Sequence, residues 1–268
     1  MPTTPPFAAT EAEYEAWAAG EVARWRGQML KRPNLVDKAT RGTQQRINAI
    51  IPEKAHEAAT AVIEQMTRAI LVGSNLTTAK PLEGVPLSIR DAKALGVIGG
   101  YRTTAAVEGG VAGAGGFWLA LADFPALITI KFKLLFDLAA VYGRRGSEFA
   151  ERLYLLHVFM LAFSSAARRA EVFQAMEGWD AKAHPQSLDE FDWRRFQQEY
   201  RDYIDLAKMV QLIPIIGAPV GAVVNWRLTE RLGGMAMNAY RGRWLEISGG
   251  SVTSASGASM SASKPVGG

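Results

Sequence analysis

Three histidines and no cysteine limit what this chain can hold or catalyse. Without a thiol there is no disulfide partner, no thiolate nucleophile and no cysteine-ligated zinc or iron–sulfur cluster. Glu53 and His56 have the E-x-x-H spacing of carboxylate-bridged di-iron bundles, but such sites need a second pair and two further glutamates. Tyr154 and Ala181 stand three residues before the other two histidines, His157 and His184. We therefore expect no metal and no cofactor. The glycine run at 109–116 lacks the Gly-Lys-Ser/Thr ending of a phosphate loop and follows no strand pattern, so it reads as helix packing. His157 falls near Ser164 and Arg168 by helical angle, and a hydrogen-bonded structural histidine is the plainer reading. No base with an orienting partner marks either Ser164 or Ser165 as a nucleophile. An enzyme acting on a lipid or other hydrophobic substrate would need groups such as Asp123, His157 or Asp202 to converge on one cavity.

Binding chemistry is better represented. Lys131 lies on the side of its helix shared by Leu127, Leu134, Leu135 and Leu138, nearly opposite Lys133 and Asp137. A lysine there must snorkel, pair or meet an anionic ligand. Snorkelling at a groove rim is the plainer reading, and an acidic lipid headgroup is the sharper one. Towards the C-terminus, Trp226, Arg227, Arg231, Tyr240, Arg241, Arg243 and Trp244 mix rings with positive charge, a composition suited to a headgroup interface. The competing reading is a surface helix with ordinary arginine pairs. Arg201, Asp202 and Asp205 form a dense patch with four-residue spacing; a solvated salt-bridge face is its default and a partner-facing surface its alternative.

These residues must be positioned by helices. Apolar positions recur at helical spacing through Tyr14, Trp17, Ala18, Val22 and Trp25, and Pro33 stops that run. A second helix is expected over about 35–50, and a third from Pro52 to the Gly73-Ser74-Asn75 turn. Residues 73–86 read as a loop. A short helix is expected at 87–95 and a further one at 102–122, although each glycine inside the latter costs about 1 kcal/mol relative to alanine. Asp123 ahead of Pro125 has the form of an acidic helix start, and Gly143 that of a left-handed stop. Ser147 is placed to cap one continuous helix to about 176, and Ser187 with Glu190 has capping-box spacing for another. A last apolar segment leads into a basic helix ending near 245. The expected fold is therefore all-α: a multi-helix bundle with a central Gly-rich apolar helical hairpin. Residues 1–10 read as a flexible arm, 11–247 as a single helical domain and 248–268 as a disordered Ser/Gly-rich tail.

The residues 111–130 reach the length of a membrane span. Asp123 sits near their middle, where an acidic group costs about 2.5–3.5 kcal/mol, and Pro125 adds a break. A hairpin folded into a protein core fits better than a span, and a hairpin dipping into one leaflet is the alternative. Lys and Arg total 30 against 26 Asp and Glu, a net charge of +4; that excess is far from the basic stripe of a nucleic-acid reader, so no nucleic acid is expected. The N-terminus has no basic segment leading into an apolar run, which points to the cytoplasm, at most to the inner face of the cell membrane.

Several phrases carry a resemblance. RTTAAVEGGVAGAGGFWLALADFPALITIKFKLLFDLAAVYG, ERLYLLHVFMLAFSS, DWRRFQQEYRDYIDLAKMVQLIPIIGAPVGAVVNW and MAMNAYRGRWL resemble signatures of the EcsC family, in the family's order, and IPEKAHEA is similar to its first helix. That family takes its name from a gene beside the ATPase and membrane subunits of an ABC transporter. The resemblance implies a membrane-proximal accessory or scaffold, with a membrane surface or membrane protein as partner. It supplies no catalytic motif, so a non-enzymatic role is expected; a lipid-directed enzyme and a soluble protein-interaction module are the alternatives. The family pattern implies a longer charged helix where VPLSIRDAKALGVIGGYRTT stands.

Overall fold

A computed structural model describes residues 10–31, 53–72, 79–114, 122–165, 168–192, 194, 196 and 218–259. The first helix, α1 (Glu11–Leu30), is started by a capping box: the Thr10 hydroxyl accepts from the Glu13 amide and the Glu13 carboxylate accepts from the Thr10 amide. Its buried stripe is Tyr14, Ala18, Val22, Trp25 and Met29, close to the expected face. Helix α2 (Glu53–Val72) follows, contributing Ile63, Ile70 and Leu71 to the core. The helix expected over 35–50 lies outside the described residues.

Helix α3 (Leu87–Ala114) is continuous through Gly96, Gly99 and Gly100, where two helices were expected. Its glycine penalty is offset by tertiary packing, because the last helix, α7 (Ala218–Ser259), lies along it. At their crossing Gly233 sits so close to Ile98 that an added Cβ would meet its side chain at 2.6 Å. Backbone of α7 runs past the 247 boundary expected from composition.

Helix α4 (Phe124–Val141) begins where Asp123 and Pro125 indicated. The Asp123 side chain makes no capping hydrogen bond; Pro125 alone provides the start signal. The helix ends as expected at Gly143, whose φ of +79° lets the Arg144 amide donate to Ala139 O at 2.8 Å. A residue with a Cβ at that position would meet Leu82 O at 2.9 Å and Arg90 at 3.1 Å. This crowding exists because the strap at 79–86 crosses the end of α4: the Leu82 amide donates to Ala140 O, and Arg90 donates to Val85 O and Val141 O.

Helix α5 (Phe149–Phe163) is buried nearly all round, like α4. Both are wrapped by the other helices, as their uniform apolarity requires. The expected run to about 176 is interrupted. Ser164 is extended, its hydroxyl donating to Leu161 O, and the Ser165 hydroxyl accepts from the Arg168 amide as α6 (Arg169–Met176) begins. Adjacent serines that bond the local backbone compete with helix continuation. Gly178, at φ +61°, leads into a short 3-10 turn at Trp179–Ala181.

The molecule is all-α, with no strand among the described residues. Helices α3 and α4 pack together, while the glycine-rich link at 115–121 lies outside the described residues. No described helix is long and apolar enough to cross a membrane.

Candidate functional site

The basic–aromatic segment of α7 divides by depth. Arg241 and Arg243 are two residues apart, so a helix turns their side chains to different sides. Arg241 is fully buried against fully buried Asp91 of α3, its Nε donating at 2.7 Å. The same carboxylate accepts from Tyr14 of α1 at 2.8 Å and from Tyr142 at the end of α4. Four segments therefore meet at one carboxylate. Burial holds Asp91 above the usual carboxylate range, against the pull of Arg241, then Tyr142 and Tyr14. The Trp17 ring lies 5.2 Å from the Arg241 guanidinium carbon, a cation–π contact.

Arg243 builds a second node. It donates to both oxygens of buried Glu151 of α5, at 2.9 and 3.1 Å, and through Nε to Asp180 at 3.0 Å. Tyr240 donates to Glu151 at 2.6 Å, and Arg144 reaches Asp180 at 3.0 and 3.1 Å. Burial alone would raise the Asp180 pKa, but Arg243 and then Arg144 hold it below the ordinary value of 3.8. The nodes touch through Tyr142 and Tyr240, stacked at 5.4 Å. Burial, then the neighbouring carboxylate, holds both hydroxyls protonated. These arginines are structural locks in the interior and are not available to a headgroup interface.

The outer side of α7 differs. Val223, Arg227 and Arg231 are exposed and four residues apart, one stripe. Trp226 is half-buried beneath Arg102, 4.2 Å from guanidinium carbon to ring, and Arg102 pairs with Glu230 at 2.6 Å. Trp244 donates to Glu15 at 3.0 Å and carries Arg90 over its ring.

Lys131 does not snorkel. It is fully buried, with Nζ 3.1 Å from the amide oxygen of buried Asn225 on α7 and 3.4 Å from Leu127 O. Burial lowers its pKa to about 7, with Glu108 opposing. Asp123 is half-buried beside the start of α4. His157 donates through Nδ1 to Leu153 O at 2.8 Å and packs 5.1 Å from Trp179, the structural role anticipated for it. Arg201, Asp202 and Asp205 lie outside the described residues. Among those that are described, Asp123, Lys131 and His157 are not joined by any hydrogen bond or ion pair. No group of three or more possible metal ligands occurs among the described residues.

Residue spacing alone missed Asp91, Tyr14, Tyr142, Glu151 and Asp180. A signal existed: Arg241 and Arg243 cannot share one helical face, so one of them had to turn inward and find acids on other helices.

A model of the EcsC protein family matches residues 17–245. The chain is 38% identical over 231 residues to Protein EcsC of Bacillus subtilis (strain 168), covering 86% of this chain and 96% of that one. It is 26% identical over 245 residues to the uncharacterized protein YdbA of the same organism, covering 86% and 90%. No solved structure matches.

Proposed function

The chain belongs to the EcsC protein family, and we propose that it is a non-enzymatic helical accessory protein that meets a membrane surface or a membrane protein through the outer stripe of α7. The observation that carries this reading is the division of arginines on that helix. Arg241 and Arg243 are committed to buried carboxylates, whereas Arg227 and Arg231 follow Val223 along an exposed face. A rigid body with outward guanidiniums suits reversible electrostatic contact with an anionic surface. Such contact lies in the cytoplasm, against the inner face of the cell membrane. The engagement of the buried acids in ion pairs also favours a scaffold over catalysis, since a catalytic acid or base must reach a substrate.

Membrane fractionation tests the reading. The expected result is a chain that sediments with membranes at low salt and is released by high salt or by carbonate. Retention through carbonate, or full solubility at low salt, would contradict it.

A further inference from the structure

The groove between α1 and α7 is lined by Glu21, Arg24, Trp25, Arg227, Glu230 and Arg231, among others, around a cavity of about 390 Å³. Its acids are already used: Glu21 pairs with Arg24 and Glu230 with Arg102. Nearby at the start of α6, Glu171 pairs with Arg168. Among the described residues, Arg169, Arg227 and Arg231 have no ion-pair or hydrogen-bond partner. Two donors are buried as well as orphaned. Trp25, only 8% exposed, lines the groove with an indole N–H that meets no acceptor. Arg169 Nε is buried and likewise unpaired. Helix α6 packs on α1 beside the groove, with the Phe173 ring 5.2 Å from that of Trp25, and the charge of Arg169 bears on Arg231. Solvent still reaches Arg231, yet the protein packed around it and then Arg169 hold it below the ordinary arginine value.

Unpaired donors beside acids that are already paired describe a site for an acceptor-rich anion. We propose that this groove binds a phosphate monoester, held in the fork of Arg231 and Arg169, with Arg227 at the rim and the Trp25 N–H beneath. Guanidinium geometry matches phosphate oxygens bidentately, and a monoester carries up to two negative charges near neutral pH. The volume admits a small phosphorylated molecule or the exposed phosphate of phosphatidic acid. The site shares Arg227 and Arg231 with the proposed contact surface but does not require a membrane.

The test is calorimetric titration of the full chain with glycerol 3-phosphate, at constant ionic strength in chloride and about pH 7.5, where the monoester is largely dianionic. Saturable one-to-one binding is expected, weakened at least about tenfold by Arg231→Gln and by Arg169→Gln, and less by Arg227→Gln. Melting midpoints without phosphate should stay at the wild-type value, since these side chains pair with nothing among the described residues. Flotation with vesicles of phosphatidylcholine containing phosphatidic acid separates the sources. Capture lost in Arg231→Gln supports a lipid headgroup, and titration without capture supports a soluble ester. No saturable heat above the chloride background overturns the site, and so does binding unchanged in both principal variants. If capture by vesicles of an anionic phosphodiester lipid persists while glycerol 3-phosphate fails to bind, the site falls and the membrane reading stands.

Discussion

Lys131 shows how one residue couples the interior to pH. The fold holds it neutral above about pH 7, whereas the unfolded chain keeps it protonated up to about its ordinary value of 10.5. Between those limits the unfolded state binds more protons, so this lysine makes stability rise with pH across that window and leaves it flat below. Lys131→Met should therefore flatten the pH dependence of denaturant unfolding between about 7 and 10 and stabilise the protein at neutral pH by about 1–4 kcal/mol. Asp180 has the opposite sign. Its folded pKa is depressed below 3.8, so its contribution is present above that value and lost as pH falls through the folded one. In Asp180→Asn the loss of stability below about pH 4 should be shallower in an acid titration of the unfolding midpoint. A profile identical to wild type would show that the Arg243 and Arg144 contacts do not bias its titration.

Among elements, the crossing of α3 and α7 is the most exposed to a single atom. Gly233→Ala forces a Cβ into Ile98, which should cost about 1–3 kcal/mol through overpacking, although alanine is the better helix former by about 1 kcal/mol. The double variant with Ile98→Val should recover part of the loss, and equilibrium unfolding of the four species gives the coupling. This crossing also marks where the sequence was readable. Pro125 and Gly143 announced the two ends of α4, because backbone chemistry at helix starts and left-handed turns is local. The unity of α3 was not announced, since it is the packing of α7 along the helix as a whole, and nothing local to its glycines, that offsets their cost. The break at Ser164 and Ser165 was obscured by apolar periodicity continuing on either side. The direction of Lys131 followed from helical angle, while its depth depended on Asn225, 94 residues away.

The whole molecule is organised by α7, whose arginines serve two environments. Inside, Arg241 and Arg243 tie it to α3, α5 and the turn after α6, with tyrosines of α1 and α4 completing the nodes. Outside, Arg227 and Arg231 carry charge with no ion pair among the described residues. The distribution matters more than the modest net charge of +4, because mean charge does not distinguish a lock from a contact. Position on the helix does.

Thermal unfolding of matched arginine variants on the two sides of α7 addresses this division most directly. The double variant Arg227→Gln/Arg231→Gln should melt with the wild type, within about 0.5 kcal/mol per site. Arg243→Gln should lose about 3–5 kcal/mol, because Glu151 would remain buried without its cation. Equal losses on both sides, or a larger loss from the outer pair, would contradict the assignment of lock and contact.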